Sequence, residues 1–346
     1  MDINQMLPTI LQKNNIARIE NRKLLIGDRR RYPFALEFVR CSTVGQIGDA
    51  LKAMVTQGGG PLQVALTTMQ FVARQIALNE QEDSLRTFSD ASQILSNSRP
   101  TNTTMARTLA TLLGQIVLWY TCESVKESYN SDLVEFVDQL IETVEKRFDE
   151  DYLKMGKLGS TLIDDGDSIL TTCFAEHSLF LSLIEAKKEG KEVQLFVPET
   201  RPYYQGSRLT APSLVEIGVK GSVITDTTGV SLMREKKITK YMTAADLVTM
   251  DGTVVNKVGT LANAIGASYY KIPYTPFAMS PDATKEGVED IVIEIRDGKE
   301  ILKNSSVDTL NALYLSFDIV ESSLVDKIVT PKGIFKPDEI KENFGR

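Results

Sequence analysis

The sequence predicts an α/β protein: a Rossmann-like carboxyl-terminal domain on a parallel sheet, preceded by a smaller, mostly helical domain with a short antiparallel β start. Three observations carry that expectation. Helical periodicity dominates the amino-terminal part of the chain once a few short strands have passed. Beyond Gly166, apolar runs alternate with helical segments, the rhythm of βαβ units whose sheet is covered on both faces. And 346 residues, 42% hydrophobic and 25% charged, suffice for two domains that bury cores without metals or disulfides.

In chain order, strands are expected at 17–20, 23–26 and 34–39, punctuated by Asn21, Gly27-Asp28 and Pro33. Thr43 and Gln46 form a Thr-x-x-Gln pattern that opens a helix. Gly58-Gly59-Gly60 end it, and Pro61 suits the first turn of the next. Helical patterns follow near 62–79, 84–96, 102–121 and 131–156, the last spacing Leu133, Phe136, Val137 and Leu140 along one face. The division is expected as 1–130 and 131–346, with 131–156 as a long linking helix. Strands then fall at 168–172, 193–197, 222–225 and 241–244, with helices near 176–188, 208–217 and 229–236. Ligands of such sheets bind beyond the carboxyl ends of the strands, near a topological switch point. That rule gives weight to Cys173, Glu199, Asp226 and Asp246.

Composition narrows the function classes. Thirty-nine basic against 46 acidic residues leave a net charge of −7. This argues against a dedicated binder of nucleic acid or anionic membrane, which needs clustered Lys and Arg. Cys41, Cys122 and Cys173 lie far apart without C-x-x-C spacing, and His177 is the only histidine. No metal site and no disulfide framework are expected, and a cytoplasmic, reducing home is. No apolar run reaches the ~18–20 residues of a membrane span, and the polar start Met1-Asp2-Ile3-Asn4-Gln5 does not read as a signal peptide.

Several residues can carry chemistry. Cys173 follows a buried strand, where a thiol is a base or nucleophile if thiolate is favoured; most free cysteines are instead small buried hydrophobes. That plainer reading is taken for Cys41, at a strand end, and for Cys122, within a helix. Asp246 closes the strand from Tyr241, and a carboxylate there serves as general acid or base, or simply caps a turn. His177 falls in the first helical turn after Cys173. Gly59 and Gly60 offer backbone N–H groups to an anion at a helix start. Arg99, in Ser98-Arg99-Pro100-Thr101, is a second phosphate candidate. Gln205 lies in the donor-rich run Glu199–Thr210, and Asn256-Lys257 precede a flexible turn. Arg29-Arg30-Arg31 reads as a solvated turn with one member turned inward.

Together these pieces resemble the family of methylthioribose-1-phosphate isomerases, ribose-1,5-bisphosphate isomerases and regulatory subunits of initiation factor 2B. The resemblance runs in order from about residue 17 to residue 330. Glu199–Thr210 is similar to the family's E-T-R-P-x-x-Q-G-x-R-L-T. Ser98–Thr101 matches S-R-P-T, Ala245-Asp246 the end of G-A-D, Asn256–Thr260 N-K-[IV]-G-T, and Ile293–Asp297 I-E-x-R-D. Cys173 falls on the cysteine of T-H-C. The departures are Gly58 in place of the arginine of R-G-A-P, Phe174-Ala175-Glu176 for Asn-Thr-Gly, and Ala244 and Leu247 around the Ala-Asp pair.

The resemblance implies that Cys173 and Asp246 are a catalytic pair. Arg99, Gln205, Asn256 and Lys257, with the amides of Gly59 and Gly60, would hold a sugar phosphate. It implies an aldose–ketose isomerase acting on a C5-modified ribose 1-phosphate, 5-methylthioribose or 5-deoxyribose, as in methionine salvage. No cofactor is needed, and a homodimer joined mainly through the carboxyl-terminal domain is expected. The alternatives are a ribose-1,5-bisphosphate isomerase and a non-catalytic regulatory subunit. Asp246, kept neutral by an apolar site, would protonate the ring oxygen and then manage the 2-hydroxyl proton; Cys173 would be the base at C2 in an enediol route or polarise the site in a hydride-shift route; Phe174 would help wall the C5 substituent.

Overall fold

The computed structural model describes residues 3–78, 84–99, 103–293, 295–302 and 310–345. Pro100, Thr101 and Glu294, which belong to the motifs above, lie outside the described residues. The chain forms two units, one of Ile10–Glu150, the other of Met1–Thr9 with Asp151–Arg346. The division thus falls inside the helix Leu133–Ser160 rather than at 130. The reason is that Phe136, Val137 and Ile141 are buried in the amino-terminal unit's core beside Trp119, whose ring stacks on Phe136 at 5.0 Å.

The amino-terminal unit opens with an antiparallel three-stranded sheet of β1 (Ala17–Glu20), β2 (Lys23–Gly27) and β3 (Phe38–Cys41). The third strand begins later than its apolar pattern suggests. Residues 31–34 turn, with the Ala35 amide donating to the Arg31 carbonyl at 3.1 Å, and pairing starts at Phe38 opposite Gly27. Thr43 caps the helix Val44–Lys52: its Oγ1 accepts from the Gln46 amide at 3.2 Å, and Gln46 Oε1 accepts from the Ser42 amide at 2.7 Å. The helices Gly60–Ala77, Ser84–Ser98 and Thr103–Thr121 follow, close to expectation. A short helix, Glu123–Ser128, was not foreseen, and Cys122 sits at its N-cap, partly exposed, rather than within a helix. Cys41 is buried, as read.

The carboxyl-terminal unit holds a sheet of seven strands. Its first four members in chain order are β4 (Ser168–Leu170), β5 (Gln194–Pro198), β6 (Lys220–Ile224) and β7 (Lys240–Ala244). After β8 (Leu247–Val248) and β9 (Val254–Lys257) come β10 (Tyr274–Phe277), β11 (Ile295–Arg296), β12 (Tyr314–Leu315), β13 (Phe317–Val320), β14 (Ile328–Thr330) and β15 (Gly333–Phe335). The large sheet has the order β15-β14-β10-β7-β4-β5-β6, parallel except for β15. From β4 the chain moves outward one way through β5 and β6, then returns to add β7, β10 and β14 on the other side. The switch point therefore lies between β4 and β7, where Leu170 pairs with Tyr241. Tyr241 and Tyr274, directly opposite each other on β7 and β10, stack at 4.5 Å in the core. A second sheet, antiparallel β13-β9-β8, stands beyond the end of β7, and β11 pairs with β12. The expected helix at 208–217 is a five-residue π turn, Gly206–Thr210, leading into the α-helix Ala211–Ile217 with Pro212 in its first turn. No helix among the described residues is long and apolar enough to cross a membrane.

Candidate active site

Cys173 stands three residues beyond Leu170 and Asp246 two beyond Ala244, so both leave the carboxyl ends of adjacent strands at the switch point. The turn carrying the cysteine is tied down by two threonines of the Glu199–Thr210 run. The Cys173 amide donates to Thr200 Oγ1 at 3.2 Å, the Thr210 hydroxyl donates to the Cys173 carbonyl at 2.8 Å, and the Ala175 amide donates to Thr210 Oγ1 at 3.1 Å. Asp226, at the end of β6, in turn receives the amides of Thr200 (2.6 Å) and Arg201 (2.9 Å). The carboxyl ends of β4, β5 and β6 are thus stitched together.

The backbone at this edge is held in uncommon conformations. Cys173, Glu176, Thr200 and Tyr204 all have φ between 54° and 66°, a region that side chains other than glycine's seldom enter. Such residues cluster at functional sites, where surrounding structure over-determines them. Gly206 has a different constraint, because a Cβ there would stand 1.7 Å from the Pro198 carbonyl oxygen. Only glycine lets the π turn press against the end of β5.

Burial pushes the Cys173 thiol up from 9.0 to about 12; Lys257 opposes that rise, and Asp246 and Glu176 add to it. Lys257 is the last residue of β9, 4% exposed, with its ammonium 4.9 Å from the centre of the Phe317 ring opposite. Among the described residues it has no carboxylate at ion-pair distance. Asn256, equally buried, donates from Nδ2 to Thr260 Oγ1 at 3.1 Å. Asp318 on β13 closes the next turn, accepting from the amides of Gly259 (2.7 Å) and Leu261 (3.0 Å) at the start of the helix Thr260–Tyr269. Gly259, with φ of 100°, makes that turn. Gln205 is 3% exposed, and its Oε1 has no hydrogen-bond partner among the described residues.

Three expectations change. Asp246 is exposed at its strand end, so the apolar surroundings expected to keep it neutral are not supplied there. Phe174 is no wall for a sugar substituent: it is 3% exposed and packs against Phe180, ring centres 6.0 Å apart. In the amino-terminal unit the Gly60 amide is already committed to the Gln57 carbonyl at 3.1 Å. Arg99 there is buried, its Nη1 3.1 Å from Met54 Sδ, and Arg29 is the inward member of its triplet, donating to the carbonyls of Gln57 and Ile10. His177 Nδ1 lies 3.3 Å from Glu176 Oε2, and its ring stacks on Tyr152 at 4.5 Å.

Sequence reasoning gave no role to Thr200, Thr210, Phe317, Asp318 or Tyr314. The two threonines lie inside the most distinctive motif, which was a signal. The last three act through strand register with β9 and β11, which no local pattern announces.

A relative in Methanocaldococcus jannaschii is 32% identical over 94% of this chain and 96% of its own. The methylthioribose-1-phosphate isomerase 1 of Pseudothermotoga lettingae is 30% identical over 93% and 95%. Among solved structures, the 5-methylthioribose 1-phosphate isomerase of Pyrococcus horikoshii matches with a TM-score of 0.78, covering 99% of both chains at 23% identity, which speaks to the fold. The delta subunit of translation initiation factor eIF-2B from A. fulgidus matches with a TM-score of 0.75, at 25% identity over 94% of this chain and 96% of its own. With the model of the initiation factor 2 subunit family matching residues 60–337, and relatives aligned over nearly the whole length, the chain belongs to that family.

Proposed function

We propose that this chain is an aldose–ketose isomerase, converting a ribose 1-phosphate that carries a methylthio group or hydrogen at C5 into the matching ribulose 1-phosphate. The observation that carries the reading is the placement of Cys173 and Asp246 at the carboxyl ends of β4 and β7, either side of the switch point, with the buried Lys257 within electrostatic range of the thiol. Relatives named methylthioribose-1-phosphate isomerase, aligned over more than nine-tenths of this chain, support it.

A phosphate on the anomeric oxygen locks the sugar as a ring, so the ring C1–O bond must be broken with a proton delivered to the ring oxygen. Asp246 is the acid in this reading. Its exposure in the free chain means that the sugar itself supplies the desolvation that favours the protonated form. Hydrogen then moves from C2 to C1 while the 2-hydroxyl loses its proton to the Asp246 carboxylate, giving the ketone. Cys173, held as a thiol, is a weak base, which favours direct transfer of hydride from C2 to C1 over proton abstraction at C2. Lys257, Gln205 and Asn256 bind the phosphate and neighbouring oxygens, Gln205 through its amide nitrogen.

The test is an isomerase assay of purified chain with 5-methylthioribose, 5-deoxyribose and ribose 1-phosphates and with ribose 1,5-bisphosphate. Turnover of the C5-modified sugars is expected. Preference for the bisphosphate overturns the substrate, and no turnover with any of the four favours a regulatory subunit.

A further inference from the structure

We infer that the Tyr314 hydroxyl determines specificity at this site, donating a hydrogen bond to the one sugar hydroxyl that isomerisation leaves untouched. The inference rests on the isomerase reading. Tyr314 pairs with Arg296 across β11 and β12 and stands three residues before Phe317, the residue opposite Lys257. The chain path brings it to the sheet edge that carries Lys257, and its hydroxyl lies within electrostatic range of Cys173, Tyr203, Arg296 and Glu300. The residue is 4% exposed, and its Oη, hidden from water, has no hydrogen-bond partner among the described residues.

Its neighbour Tyr203 shows the contrast. The Tyr203 hydroxyl accepts from Arg296 Nη2 at 3.1 Å, and Glu300 fixes that guanidinium through contacts of 3.0 and 2.7 Å. Tyr203 is satisfied and Tyr314 is not, although the two share surroundings. A buried hydroxyl without a partner carries its desolvation penalty uncompensated, so its persistence calls for an explanation. Among the other such atoms in the same unit, which include Thr171 Oγ1 and Ser213 Oγ, Gln205 Oε1 is the one on a residue already assigned to the sugar phosphate. Both are shielded in the free chain, so the sugar reaches them only as neighbouring side chains yield on binding.

The chemistry of the substrate identifies the partner. On a C5-modified ribose 1-phosphate, the oxygen on C1 carries phosphate, that on C2 becomes the ketone, that on C4 closes the ring, and C5 carries no hydroxyl. The 3-hydroxyl remains. Burial raises the Tyr314 phenol well above its ordinary range, so it presents a proton at any working pH.

Tyr314→Phe removes only the oxygen. Wild type and variant would be compared in thermal unfolding without ligand, and in kcat/KM on the C5-modified sugar phosphate and its 3-deoxy analogue. The expected result is an unfolding temperature equal to or above wild type, and about a tenfold loss of kcat/KM on the parent sugar. The 3-deoxy analogue should be turned over equally by both chains. Equal kcat/KM on the parent sugar overturns the inference and leaves the isomerase reading standing, and so does an equal loss on both sugars. A wild-type chain inactive with every sugar 1-phosphate overturns the isomerase reading, and the inference with it.

Discussion

Cys173 and Asp246 differ in a way their positions in the sequence do not reveal. Cys173 is partly buried and its thiol is pushed up by burial, whereas Asp246 is an exposed residue. Cys173→Ser and Asp246→Asn preserve size, so circular dichroism should be unchanged, while kcat falls by about two orders of magnitude or more in each. Near wild-type turnover in either variant removes that residue from the mechanism. The thiols should also separate by reactivity. Cys122, lowered by its hydrogen bond with Ser124, should alkylate first at pH 8, and Cys173, pushed up to about 12 by burial, should resist. Peptide-resolved mass spectrometry after iodoacetamide reads both. The same burial makes stability depend on pH. Between 9.0 and about 12 the unfolded chain has lost the Cys173 proton and the folded chain keeps it, so stability falls as pH rises through that window and is unaffected below it. Urea midpoints at pH 8 and pH 10 should diverge more in wild type than in Cys173→Ser.

At the scale of elements, two short segments carry predictions of different size. The cap of the helix Val44–Lys52 is one hydrogen bond from an exposed threonine, so Thr43→Ala should cost about 1 kcal/mol, read from the urea midpoint. The π turn Gly206–Thr210 is unforgiving, because it meets the end of β5 through backbone rather than a movable side chain. Gly206→Ala should destabilise by about 3 kcal/mol or more and displace Thr210 from the Cys173 turn, losing activity as well. A Gly206→Ala chain with wild-type stability would show that the turn can back away from Pro198.

For the whole molecule, apolar surface remains in the carboxyl-terminal unit. Val292 is 84% exposed, Leu313 70% and Ile295 68%, all in and around the β11–β12 ribbon, and Tyr269 is 78% exposed on the helix Thr260–Tyr269. Such side chains supply apolar area that a second copy of the chain can bury. A symmetric pair joined through this unit is the expected state, and light scattering should give twice the monomer mass. A monomer mass independent of concentration would count against it.

Features that depend on neighbours along the chain are legible in the residues themselves. Short runs bounded by turn residues mark β1 and β2, Thr43 and Gln46 mark a helix start, and the strand–helix rhythm past Gly166 marks the parallel sheet and the edge on which Cys173 and Asp246 stand. The Glu199–Thr210 motif was visible as a unit, though its threonines' task was not. Features that depend on partners distant in sequence emerge only with the packed fold. Phe136, Val137 and Ile141 belong to the amino-terminal core, where Trp119 stacks on Phe136, and the boundary therefore lies further along the helix. Strands of two to four residues such as β8, β9 and β12 are too short to show a period, and only pairing makes them strands. Whether a side chain is desolvated is likewise a property of everything packed around it. That is why Asp246 is exposed, Phe174 turns into the core, and the Tyr314 hydroxyl is buried without a partner among the described residues.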